Sequence, residues 1–206
     1  IKRDGIKDLM YFELVREPIK INPVSYEIKE DNIGFIRLTD FNESSYEKMK
    51  EAVEFFIEKG IEGVIIDLRG NPGGLLDEVV DICRLLIPEG PIVKTQVKGE
   101  IIETYSSNLE KEPFKLAVLV NGGSASASEI LAGAVRDSNT GILIGEKTYG
   151  KGTVQNISRI YDGSGVKLTV ANYLTPSGFS LDGVGLTPDI EVKDNTSEIL
   201  VEVAQM

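Results

Sequence analysis

Two short, almost purely apolar runs, residues 64–68 and 116–120, constrain this chain more than any other feature. A run without polar alternation has both faces buried, as in the interior of a parallel sheet. Each run leads into a turn of small residues and then into apolar residues at helical spacing. These are Leu76, Val79, Val80, Cys83 and Leu86 after the first, and Ala127, Ile130, Leu131 and Ala134 after the second. Strands returning at 92–97 and 142–144 would complete two strand-turn-helix-strand units. The expectation is an α/β fold with a mainly parallel sheet and helices packed on it.

Around these units the pattern predicts N-terminal strands at 11–15, 24–28 and 33–38, with Pro18 and Pro23 between them. A helix carrying Met49, Ala52, Val53 and Phe56 follows, with Ser44 and Glu47 in capping-box spacing and Gly60 as its stop. Lys98 and Gly99 read as a turn into a strand at 101–105, and 106–112 as a polar loop. Residues 154–173 read as a β-hairpin around Asp162 and Gly163, and 197–205 as a short tail helix. A chain of 206 residues suits one domain with at most a small appendage.

Composition narrows the chemistry. With 33 acidic against 22 basic residues the net charge is −11, a surface that repels phosphate backbones, so no nucleic-acid partner is expected. No apolar run approaches the ~20 residues of a membrane helix. The single cysteine, Cys83, makes neither an internal disulfide nor a cysteine zinc site. The count of histidines is zero, which removes the usual general base and every Ser-His-Asp arrangement. An enzyme built on this chain must move protons with another group.

In open sheets of this connectivity reactive groups collect at the carboxyl ends of strands, so the cleft is expected between residues 70–74 and 122–128. Residues 121–129 read Asn-Gly-Gly-Ser-Ala-Ser-Ala-Ser-Glu. Their small side chains and the unpaired amides of a starting helix suit a serine nucleophile and its oxyanion. Helix capping also explains such serines, and the spacing does not choose among Ser124, Ser126 and Ser128. Gly73 and Gly74 end the other central strand, where a second oxyanion donor is needed; they equally suit a turn into a helix. The base falls to a lysine, which accepts a proton only when neutral, as burial or a nearby cation allows. Lys151, flanked by Gly150 and Gly152, is the candidate, with Gln155 placed to hold or orient it.

Three other patterns are decoys. Residues 145–151 match a phosphate-binding loop until Gly152 stands where a hydroxyl should hold magnesium, and a β-like run follows, so no nucleotide is expected. Ser45 and Lys48 match a Ser-x-x-Lys pair, but on the first turn of an amphipathic helix. Asp77, Glu78 and Asp81 look like a solvated helix face, not a metal cluster.

Four segments, taken in order, resemble the carboxyl-terminal processing proteases, also called tail-specific proteases. They are 63–74 (Gly-Val-Ile-Ile-Asp-Leu-Arg-Gly-Asn-Pro-Gly-Gly), 120–130, 145–155 and 174–178 (Leu-Thr-Pro-Ser-Gly). The resemblance covers about residues 23–194. It implies a crotonase-like core and a serine-lysine endopeptidase that trims unstructured C-terminal tails, without metal or cofactor. Carried over by position, the nucleophile is Ser126, the general base Lys151 and the lysine-orienting residue Gln155. The oxyanion donors are the amides of Ala127 and Gly73, and an acidic position that influences activity in some members falls on Asp137. Members usually carry a peptide-binding PDZ module ahead of the core. Residues 1–22 resemble only its last strands, leaving 23–206 as the protease core. The resemblance also places the parent protein outside the cytoplasmic membrane. The rival readings are a non-catalytic binder of unfolded tails and a crotonase-like acyl-CoA enzyme, which would have no need of Ser126 together with Lys151.

Overall fold

The computed structural model describes residues 1–17 and 21–192. The main sheet contains β1 (Val24–Ile28), β2 (Ile33–Leu38), β3 (Gly63–Asp67), β6 (Lys115–Val120), β7 (Gly141–Gly145) and β10 (Ile190–Glu191), hydrogen-bonded in that order. Only the β1–β2 pairing is antiparallel; the others are parallel. The helices are α1 (Ser45–Glu58), α2 (Leu76–Leu86) and α3 (Ala127–Asp137). Their apolar stripes meet Ile36, Val64, Ile66, Leu68, Val118 and Val120 in one buried cluster. The alternate residues Ile65, Ala117, Leu119 and Ile144 form a smaller cluster, as the period of two along a strand requires.

A second, antiparallel sheet, in the order β5-β4-β9-β8, joins β4 (Gly90–Val97), β5 (Glu100–Ser107), β8 (Thr153–Arg159) and β9 (Gly165–Leu174). Here the structure corrects the sequence reading. The strand after α2 does not return to the parallel sheet: β4 pairs with β5 and β9, and β3 lies between β2 and β6. Its apolar pattern showed a buried strand but not which edge would receive it.

Residues 11–15 form no strand and pair with none among the described residues; Tyr11 and Val15 are 87% and 79% exposed. The polar loop starts at 108 rather than 106, because Ser107 is buried and its hydroxyl donates to Ile87 O at 2.7 Å. The expected tail helix at 197–205 lies outside the described residues. Among the described residues no helix is long and apolar enough to cross a membrane.

Candidate active site

Three adjacent parallel strands deliver the site. The carboxyl end of β3 leads into the turn containing Gly73, that of β6 into Ser126, and that of β7 into the loop carrying Lys151. The first two turns are tied together. Asn121 Oδ1 accepts from Gly70 N at 2.8 Å and Gly123 N at 2.9 Å, and Asn71 O accepts from Ala125 N at 3.0 Å. The turns 70–74 and 122–128 therefore pack against each other at the carboxyl ends of the strands. A cavity of about 450 Å³ lies elsewhere, beside Gly63, Lys115 and Gly141 at the amino ends of the same strands.

The three serines separate physically. Ser124 is buried, with its hydroxyl donating to Leu68 O at 2.8 Å and accepting from Asn121 N at 3.0 Å. Ser128 is also buried and donates to Asn71 O at 3.0 Å. Both stitch the serine turn to the β3 turn. Ser126 is half-buried and precedes α3, where its hydroxyl faces the Glu129 N–H in a capping box but donates to no acceptor among the described residues. Its backbone lies at φ 56° and ψ −115°, outside the regions L-residues favour. Such strain costs about 1–3 kcal/mol and persists only where surroundings impose it. What imposes it is Glu129, whose Oε2 accepts the Ser126 N–H at 2.9 Å.

Gly73 packs directly on this turn. A Cβ there would lie 2.7 Å from Ser126 Cβ and 2.9 Å from Ala127 N, and its φ of +101° also favours glycine. The Gly73 N–H donates to Asn71 Oδ1 at 2.9 Å. The Ala127 N–H has no backbone partner among the described residues, as expected in the first turn of a helix.

Lys151 is half-buried, and its N–H donates to Glu129 Oε2 at 2.8 Å, the oxygen that also binds Ser126 N. The backbones of both residues are thus brought together. Their side chains form no hydrogen bond with each other, and the Lys151 side chain forms no hydrogen bond or ion pair among the described residues. Gln155 is exposed on β8, next to a register shift between Val154 and Gln155.

Asp137 ends α3, and the helix of about 16 Å separates it from Ser126. It instead holds the fourth motif segment, accepting Ser177 N at 2.9 Å. Burial opposes its charge, but hydrogen bonds from Thr175 and Ser177 and the nearby Arg136 prevail, holding its carboxyl below the ordinary range.

The decoys resolve as structure. Ser45 is buried, donates to Asp40 O and accepts from Asn42 N, while Lys48 pairs with Glu51. The lysine loop runs into strand β8 rather than a helix. The residue the sequence reading passed over is Glu129. Its signal was the Ser-x-x-Glu spacing from Ser126, the first half of a capping box.

A half-buried serine at a strained strand-to-helix turn, beside the unpaired Ala127 N–H and a glycine turn, is an arrangement suited to acyl transfer. Residues 32–192 match Peptidase family S41, and the chain belongs to that family. It is 42% identical over 183 residues to the carboxyl-terminal-processing protease of Synechocystis sp., covering 86% of this chain and 43% of that protein. It is 40% identical over 187 residues to carboxyl-terminal-processing peptidase 2, chloroplastic, of Arabidopsis thaliana, covering 85% and 36% respectively. The solved photosystem II D1 C-terminal processing protease superposes with a TM-score of 0.79 at 34% identity, covering 92% of this chain and 53% of that one. The chain spans about half the length, or less, of these relatives.

Proposed function

We propose that residues 23–192 form the catalytic core of a serine endopeptidase that cleaves unstructured C-terminal regions of proteins, with Ser126 as nucleophile and Lys151 as general base. The observation that carries this reading is the division of labour among the serines: Ser124 and Ser128 are buried and donate their hydroxyls to backbone carbonyls, whereas Ser126 is strained, half-buried and donates its hydroxyl to nothing among the described residues.

Neutral Lys151 takes the Ser126 proton as Oγ attacks the scissile carbonyl. The oxyanion is met by the Ala127 N–H, and by the Gly73 N–H once it shares or exchanges its bond to Asn71. The leaving amine takes the proton from Lys151 as the C–N bond breaks. Lys151 then takes a proton from water as it attacks the acyl ester, and returns that proton to Ser126 Oγ as the ester bond breaks, releasing the new carboxyl terminus and the neutral dyad. Because Nζ makes no bond among the described residues, substrate would draw the dyad together, as catalytic contacts often tighten only on binding. Gln155 would orient the ammonium from β8, where the register shift can re-aim a side chain.

The open edge of β8 follows Lys151 directly, so an extended tail can add as a further strand and reach the dyad, while a folded segment cannot. The crotonase-like description of the core rests on the strand-turn-helix units whose turns meet at the carboxyl ends of neighbouring parallel strands. Residues 1–22 are assigned to the end of a PDZ module by sequence resemblance alone, and a protein of this kind would act outside the cytoplasmic membrane or in an organelle lumen.

Incubating the chain with a disordered peptide and reading new termini by mass spectrometry tests the proposal. Wild type should cleave, and Ser126→Ala and Lys151→Ala should each lower the rate by about 10³-fold or more. Full activity in Ser126→Ala, or saturable binding with no new termini from wild type, would overturn it; the latter is the behaviour of a tail-binding module.

A further inference from the structure

Glu129 is fully buried at the start of α3, and its carboxylate accepts four hydrogen bonds. Oε1 receives Thr148 Oγ1 at 2.5 Å and Gly150 N at 2.8 Å, while Oε2 receives Ser126 N at 2.9 Å and Lys151 N at 2.8 Å. Capping α3 would need only the Ser126 bond. The other three donors come from the lysine loop, 19 to 22 residues further along the chain.

A buried carboxylate is tolerated only when its lone pairs are satisfied, and among the described residues this one has no cationic partner. The helix N-terminus and four donors replace the cation. Thr148 extends the connection: its Oγ1 accepts Leu186 N at 2.7 Å, and its own N–H donates to Leu186 O at 3.0 Å. The backbone of Gly150 lies so close to Gly185 that a Cβ there would meet Gly185 N at 2.9 Å. The lysine loop is thus clamped between Glu129 and the segment around Leu186.

We propose that Glu129, with Thr148, is a positioning residue that sets the separation of Ser126 and Lys151 through their backbones, an inference that rests on the dyad reading above. A long lysine side chain cannot fix that separation by itself, and among the described residues nothing else holds Nζ. The carboxylate does so from behind the cleft, without touching substrate.

Glu129→Gln tests this, because either orientation of the amide points an NH₂ at two donors and leaves at least one N–H unpaired. The expected result is a folded protein with kcat lowered about 100-fold, the scale of a 1 Å misplacement, and KM within about 3-fold. Thr148→Val should lose about 10-fold in kcat, with Thr148→Ser restoring most of it; this pair decides the matter if Glu129→Gln does not fold. Amide hydrogen exchange supplies a readout independent of turnover. In Glu129→Gln the Ser126, Gly150 and Lys151 amides should all exchange about 10-fold faster or more, while those of β3 and β6 stay as in wild type. Wild-type kcat in either variant, or unchanged exchange at the three amides, overturns the proposal. Were wild type to cleave nothing, the peptidase reading would fall and the exchange measurement alone would decide whether Glu129 links the two loops.

Discussion

At Ser126 the backbone and the side chain make opposing demands. The conformation at φ 56° suits glycine, yet nucleophilic chemistry needs a hydroxyl at that point. This yields a test that ordinary positions would fail. Ser126→Ala and Ser126→Gly both remove the nucleophile, but only glycine relieves strain of about 1–3 kcal/mol. The greater entropy of glycine in the unfolded chain returns about 0.5–1 kcal/mol. Ser126→Gly should therefore be more stable than Ser126→Ala by about 1 kcal/mol, seen as a higher urea midpoint with an unchanged slope. The reverse order would show that the turn is unstrained.

Among the elements, α1 and α2 share a cap that their own sequences do not display. The N-cap Ser44 makes no side-chain cap bond; its hydroxyl turns back to Asn42 Oδ1 at 2.8 Å. The Tyr46 N–H is instead taken by Glu78 Oε2 of α2 at 2.7 Å. Glu78→Ala should cost about 1 kcal/mol by chemical denaturation, while Glu47→Ala, the change at the expected capping partner, should cost about half a kcal/mol or less. Equal effects would mean that the cap is local after all. The same contrast marks what the sequence could reveal. β3, α2, β6, α3 and the β8–β9 hairpin were legible because each announces itself through local periodicity or turn chemistry, and the motifs placed Ser126, Lys151 and Gly73 on three neighbouring loops. Glu78 and Glu129 were not legible in their roles, because their partners are supplied by other elements. The destination of β4 was hidden for a related reason, since a strand's own pattern does not name its neighbour.

For the whole molecule, the far end of α3 links stability to pH. Asp137 lies about a helix length from Ser126 but fastens the 175–178 segment, and its carboxyl is held below the ordinary range because the bonds from Thr175 and Ser177 and the charge of Arg136 outweigh the cost of burial. A carboxyl whose value is lower folded than unfolded binds protons more readily in the unfolded chain. Its contribution is fully present at neutral pH and fades as pH falls from the unfolded value of about 4 through the lower folded one. Asp137→Asn keeps an acceptor for Ser177 but cannot titrate. The stability gap between wild type and this variant should therefore be largest near pH 6 and narrow by pH 3, measured as urea midpoints at each pH. A gap independent of pH would mean that Asp137 acts through shape alone. Because the helix ends at this clamp and begins at the nucleophile, peptidase activity measured at pH 6 distinguishes two couplings. If the clamp serves only to fasten the 175–178 segment, Asp137→Asn should lose stability while kcat stays within about 3-fold of wild type. A larger fall in kcat in the folded variant would mean that the helix transmits the loss of the clamp to Ser126.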